Sequence, residues 1–188
     1  VDVYGVQVQE ETRTNVVIAD AAGNQHVKAN EAGPNVTPTE VATMFALIGD
    51  DLAPGDICVM TGSLARGIAP DFYARLIELV RSKRAHPVLD ASAEPLRQGI
   101  LAQPWFLKIN DLEAGQALGR PVTTPREAMI AASELRQRGI PIVAISLGDQ
   151  GAVGDDGSGA RWAKPPQVTA LNAVGAGDAL MGGMIWAL

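Results

Sequence analysis

A single cysteine, Cys58, occurs in the 188 residues, so no intramolecular disulfide can form. Its apolar neighbours Ile57 and Val59 predict a place in a buried strand, and a reducing compartment suits it. Histidine is almost as scarce. His26 and His86 lie far apart without metal-ligand spacing, which leaves a histidine-based metal site or a Ser-His-Asp triad without support. Positive charge is not concentrated: the net charge is −6 and no basic run is longer than Arg81 to Arg84. That balance speaks against a nucleic acid or an anionic membrane as partner, although a local site for a small anion can oppose the overall charge. Long apolar runs are also missing. No N-terminal stretch reads as a signal peptide, and the final ALMGGMIWAL is too short and too interrupted by glycine to span a bilayer. The expectation is a cytoplasmic protein with neither a nucleic-acid nor a membrane partner.

Internal repeats and low-complexity tracts are absent, while 47% apolar against 19% charged residues is enough for a sizeable core and argues against disorder. The chain opens at Val1 without an initiating methionine and stops at Leu188 inside an apolar helical pattern, so a piece of a longer protein is expected.

Residues 1–30 alternate in short stretches, VYGVQVQ, TNVVIAD and QHVKAN with a turn at AAGN, which predicts short antiparallel strands in a small sheet or lid over residues 1–32. From there to residue 188 the texture is βα. Thr37-Pro38 starts a helix; DICVMTG (56–62) predicts a buried strand; residues 71–85 form an amphipathic helix with Phe72, Leu76, Leu79 and Val80 on one face. HPVLDAS (86–92), WFLKIN (105–110) and PIVAISLG (141–148) read as further strands. Helices are expected at EPLRQGILA and from about Pro125 to Arg138, and QGAVGDD with ARWAK reads as a final β pair around a Gly154–Gly159 turn. Such alternation predicts an α/β fold with a doubly wound, mostly parallel sheet, whose ligands bind beyond the strand C-termini. TGS (61–63), DAS (90–92), KIN (108–110) and SLGDQG (146–151) should therefore share one edge. Asp90 ends a strand there, either contacting ligand or serving a helix start. Trp105, Trp162 and Trp186 sit in apolar contexts and are expected to pack in core or lid.

The most informative string is NAVGAGDALMGG (172–183). Gly175, Ala176 and Gly177 carry at most a methyl, so their N–H groups can approach a phosphoryl group at the positive end of the helix that follows. Asp178 stands beside that anion, where a carboxylate can accept the proton of an attacking hydroxyl.

ETRTN (11–15), TGSLARG (61–67), KINDLE (108–113), SLGDQGA (146–152) and VGAGD (174–178), in this order and approximate spacing, resemble the ribokinase-like PfkB carbohydrate kinases, in particular their hexose-phosphate branch. The resemblance implies ATP-dependent phosphorylation of a ketohexose phosphate: fructose 1-phosphate, fructose 6-phosphate or tagatose 6-phosphate. It implies Asp178 as catalytic base and Gly175, Ala176 and Gly177 as anion hole. Lys108, Asn110, Ser146, Gly148 and Gly151 would meet the nucleotide, and Glu113 would help hold a hydrated Mg²⁺. Arg13 would grip the substrate phosphate, with Asn15 and Ser63 as further substrate contacts. Ile109 stands where the family has proline, and Arg66 is either a surface charge or a further phosphate contact. The family's N-terminal aspartate and Gly-Gly-Lys-Gly-x-Asn stretch and its adenine-side helices find no match here. Two alternatives stay open: a non-catalytic remnant that binds nucleotide or anion, and a kinase of unphosphorylated sugars or nucleosides. A homodimer through the lid is a further expectation.

Overall fold

The computed structural model describes residues 5–19, 26–166 and 175–188. Two strands, β1 (Asn15–Ala19) and β2 (His26–Asn30), pair antiparallel in a sheet of their own. Helix α1 (Pro38–Asp51) then begins at a complete capping box: the Thr37 hydroxyl accepts from Glu40 N–H while the Glu40 carboxylate accepts from Thr37 N–H. Pro38 at the first helical position loses no hydrogen bond there.

The second sheet holds β3 (Ile57–Thr61), β4 (His86–Asp90), β5 (Phe106–Asn110), β6 (Ile142–Ser146), β7 (Ala152–Asp155) and β8 (Arg161–Ala163), side by side in chain order. The first four run parallel and the last two close the sheet antiparallel. Between them lie α2 (Phe72–Ser82), α3 (Ala93–Leu101), α4 (Asp111–Leu118) and α5 (Pro125–Gln137), while α6 (Ala176–Trp186) comes last.

Strand parity decides what each face does. Leu89, Leu107, Ile109, Val143 and Ile145 point one way into the main core with Leu76, Ile77, Leu96, Ala128 and Leu135 of the intervening helices. The alternate residues Val88, Phe106 and Ala144 point to the other face, where Met181, Met184 and Ile185 of α6 cover them. Positions 181, 184 and 185 are the i, i+3, i+4 stripe of a helix lying on a sheet. Helices thus cover both faces, and the fold is the expected mostly parallel α/β arrangement.

Several expectations need correction. Residues 5–8 form no strand among the described residues, although Val6 and Val8 do alternate with the exposed Gly5 and Gln7. Val6 and Val8 instead line an apolar groove of about 490 Å³ with Val41, Met44 and Ile48, so the alternation reflects packing toward α1 without a ladder. The AAGN turn and the stretch from residue 167 through Val174 lie outside the described residues. Strand β3 is an edge strand: Met60 is buried and Cys58 half-buried, but Ile57 and Val59 are about 40% exposed. These two share the face of Val88, through the Val59↔Val88 pairing, beyond the cover of α6. Trp105 packs as expected and lies tilted against His86 at 4.5 Å between ring centroids. Trp186 is 91% exposed because it projects away from the 181/184/185 stripe. Trp162 is exposed too, and its indole N–H donates to the Gln150 carbonyl at 2.8 Å, clipping β8 to the loop before β7.

Candidate active site

The C-terminal ends of the four parallel strands align. Thr61 pairs with Asp90 and Asn110 with Ser146, so the four polar loops expected from the sequence leave the sheet on one edge. Helix α6 begins at this edge after Gly175, which adopts the left-handed φ of +80° that a glycine takes without strain. Among the described residues no side chain caps the start of α6, which leaves its first-turn N–H groups without a side-chain acceptor there. Asp178 lies exposed in that first turn.

Lys108 stands on the same face of the sheet as Val88, Phe106 and Ala144, with Ala144 directly opposite it on β6. Its side chain therefore runs toward α6. A Cβ on Gly177 would fall 2.9 Å from the Lys108 ammonium, so the glycine is what lets the cation approach the helix start. The register Val88↔Phe106 and Leu89↔Leu107 puts Asp90 next to Lys108, and its carboxylate accepts from the ammonium at 2.6 Å. Both side chains are nearly buried, 8% and 14% exposed.

A second polar cluster assembles around Ser63. The Arg13 guanidinium donates to the Ser63 hydroxyl at 3.0 Å, bringing together two residues fifty positions apart that the sequence had both pointed to a substrate. Gly33 packs on the Arg13 side chain at a φ of +76°. Arg66 bridges Glu10 and the Gly33 carbonyl, which makes it a tether between loops. Asn15 is exposed at the start of β1 and pairs with Asn30.

At the end of β5, Asn110 caps α4. Its side-chain oxygen accepts from Glu113 N–H at 2.8 Å and the Glu113 carboxylate accepts from Asn110 N–H at 2.9 Å. Burial pushes the Glu113 carboxyl above the usual range despite the bond from Asn110; the charge of Asp90 pushes the same way, that of Lys108 opposes it, and Asp111 adds a smaller push upward. A half-buried carboxylate with acidic neighbours is relieved by a cation. No group of three or more His, Cys, Asp and Glu suited to a metal occurs among the described residues, but Mg²⁺ keeps most of its waters and needs only one or two carboxylates beside phosphate oxygens. The residues fit a hydrated ion.

Ser146 ends β6, Gly148 opens a 3₁₀ turn over Gly148–Gln150, and Gly151 follows at φ +97°, ψ −141°. A Cβ there would stand 2.1 Å from the Ala163 carbonyl oxygen, so Gly151 is needed for close backbone approach whatever it does for a ligand. Gly148 has open space around it.

One group and one pairing escaped the sequence reading. The Tyr73 hydroxyl, carried by α2, donates to the Thr61 and Gly62 carbonyls just before Ser63. Asp90 was visible as a strand-end carboxylate and Lys108 as a nucleotide candidate, but their pairing was not, because Asp90 closes β4 whereas Lys108 lies two residues before the end of β5.

The sequence pattern of the pfkB family carbohydrate kinases matches residues 1–188. The chain belongs to that family. It is 35% identical over 181 residues to the 1-phosphofructokinase of Escherichia coli K12, covering 96% of this chain and 58% of the relative. With the 1-phosphofructokinase of Rhodobacter capsulatus it shares 37% over 177 residues, 94% of this chain and 56% of the relative. Among solved structures, the tetrameric inhibited form of Escherichia coli phosphofructokinase-2 superposes with a TM-score of 0.87 at 26% identity, covering 95% of this chain and 59% of that one. The same enzyme in complex with substrates and products gives 0.84 at 26% identity, over 92% and 56%. This pfkB chain thus spans a little over half the length of the relatives it matches. No helix among its described residues is long and apolar enough to cross a membrane.

Proposed function

We propose that this chain carries the phosphoryl-transfer centre of an ATP-dependent sugar-phosphate kinase acting on a ketohexose phosphate. The observation that supports this best is one connected line of contacts along the strand edge. Arg13 bonds Ser63; Gly62, its neighbour, donates its N–H to the Asp90 carbonyl; the Asp90 carboxylate holds Lys108; and Lys108 lies against Gly177 at the opening of α6. A phosphate-binding cation and a phosphoryl-binding helix start are thereby linked across a short stretch of sheet.

In this reading the sugar phosphate docks on Arg13, whose planar donors suit phosphate oxygens, with Ser63 and Asn15 beside the sugar. Asp178 accepts the proton of the attacking hydroxyl, and the N–H groups of Gly175, Ala176 and Gly177 stabilise charge growing on the transferring group. Lys108, Asn110 and the loop of Ser146, Gly148 and Gly151 hold the nucleotide phosphates. Glu113 would hold magnesium through water, and the ion when bound neutralises phosphate charge. Residues 1–32 act as a β lid over the α/β core of residues 33–188, and the exposed Val16, Val17, Ile18 and Val27 of β1 and β2 suit them to pair with a second lid in a homodimer.

The test is turnover of Asp178→Asn and Arg13→Met. Asp178→Asn should lose roughly 10²–10⁴-fold in turnover with folding intact. Arg13→Met should raise the KM for the sugar phosphate; an unchanged KM would point to an unphosphorylated acceptor.

A further inference from the structure

We infer that Asp90 is a positioning residue: it holds the Lys108 ammonium against Gly177, so that the phosphoryl-binding end of α6 carries a cation fixed in place before any ligand arrives. The inference rests on the kinase reading above for its consequence in turnover, and on geometry alone for its cause.

A lysine has four rotatable bonds and a compact, strongly hydrated charge, so an ammonium reaching across a sheet face is ordinarily mobile. Here three features remove that freedom. Strand register sets Asp90 beside Lys108, and the carboxylate accepts from the ammonium at 2.6 Å. The pair is nearly buried, so water competes weakly for either partner. On the other side the absent side chain of Gly177 leaves the ammonium a seat against the helix start, where any Cβ would be 2.9 Å away. The main chain of Asp90 is anchored as well, because its carbonyl accepts from Gly62 N–H at 3.2 Å. One residue therefore fixes the lysine through its side chain and the loop leading to Ser63 through its backbone.

A cation at a helix N-terminus opposes the local dipole and is an uncommon arrangement without a purpose. The carboxylate offsets that repulsion. When a phosphoryl group enters at Gly177, the ammonium and the helix N–H groups both face it, and no side-chain search is needed. Such preorganisation acts on the transition state, in which the transferring group must be aligned, more than on ground-state binding of the nucleotide.

The experiment compares Asp90→Asn, Asp90→Glu and Gly177→Ala with the parent chain in two readouts. The first is the ¹⁵Nζ signal of the lysine ammonium groups, with the Lys108 signal identified by its loss in Lys108→Met. It should be protected from solvent exchange in the parent, lost in Asp90→Asn and retained in Asp90→Glu. The second is turnover with Mg-ATP and a ketohexose phosphate: Asp90→Asn should lose roughly 10–100-fold in kcat, the order expected for about 1 Å of misplacement, with the KM for Mg-ATP within about threefold. Gly177→Ala, which displaces the ammonium from the opposite side and keeps the ion pair, should shift the Lys108 signal while leaving it protected from exchange; because Gly177 also belongs to the anion hole, it is this signal and not kcat that keeps the question answerable if Asp90→Asn does not fold. An unchanged Lys108 signal in Asp90→Asn would overturn the inference. So would a kcat loss that excess Mg²⁺ restores, since that would make Asp90 a metal group. The first readout needs no turnover, so a parent chain inactive toward every sugar phosphate would refute the kinase reading, while the exchange behaviour of Lys108 would still decide whether Asp90 positions it.

Discussion

Replacing Gly151 by alanine separates what the glycines after β6 do for the fold from what they do for a ligand. Gly151 sits at φ +97°, ψ −141°, a region that residues with a Cβ avoid, at a cost of roughly 1–3 kcal/mol. The added methyl would also meet the Ala163 carbonyl oxygen at 2.1 Å and Pro165 Cδ at 2.8 Å. The carbonyl belongs to β8, paired to β7 through Ala152↔Ala163, so relief requires backbone movement and weakens that ladder. The Gly151 carbonyl itself accepts from Leu147 N–H at 2.8 Å, which couples the shift to the end of β6. Adding about one lost backbone hydrogen bond gives a loss of roughly 2–4 kcal/mol. For a chain of this size that is a fall in Tm of about 5–15 °C. Gly148→Ala is the internal comparison: its φ is +59° but its surroundings are open, so only the left-handed backbone term of about 1–2 kcal/mol applies. Urea unfolding of both variants at one pH, with m-values compared, supplies the assay. Equal losses within about 0.5 kcal/mol would refute the claim that the β8 carbonyl dictates glycine at 151.

Three further outcomes are expected. Because burial raises the Glu113 carboxyl, the stability it contributes is present below its ordinary value and is lost as pH rises through the raised one; Glu113→Gln keeps an acceptor for Asn110 N–H and should be as stable as the parent or slightly more so at pH 7–8 by urea unfolding, while its turnover requires more Mg²⁺. Tyr73→Phe removes the donor to two backbone carbonyls and should cost about 1–2 kcal/mol in the same assay; no measurable loss would mean those carbonyls find other partners. Glu40 and Glu127 are held below the usual carboxylate range chiefly by backbone N–H groups of Thr37 and Thr123, Glu134 by the Arg120 side chain and Asp156 by Ser158. Their contribution is present above the ordinary carboxylate pKa and is lost as pH falls through the lowered values, so thermal unfolding should become easier below about pH 4, with the slope reduced in Glu127→Gln.

How much of this was legible beforehand follows from the range of the interactions. Thr37-Pro38 and the Pro125 helix start could be read because a capping box is made within three residues. The strand-end loops could be read because apolar runs of five residues followed by Gly, Ser or Asn mark where a parallel strand leaves its sheet. The meeting of Arg13 and Ser63 came through the family resemblance, since nothing local joins residues that far apart. The Asp90 to Lys108 pair depends on the register between β4 and β5, which no single-strand pattern contains. Exposure of Ile57 and Val59 depends on β3 being at a sheet edge, and that of Trp186 on which stripe of α6 faces the sheet. Both are properties of neighbours, invisible in the strand or helix itself.

The most direct test of the account is ADP release from Mg-ATP by this chain, measured with fructose 1-phosphate, fructose 6-phosphate, tagatose 6-phosphate and free fructose, beside Asp178→Asn. The account predicts turnover with a ketohexose phosphate, little or none with free fructose, and its collapse in the variant. Turnover that survives Asp178→Asn, or transfer to none of the phosphorylated sugars, would contradict it.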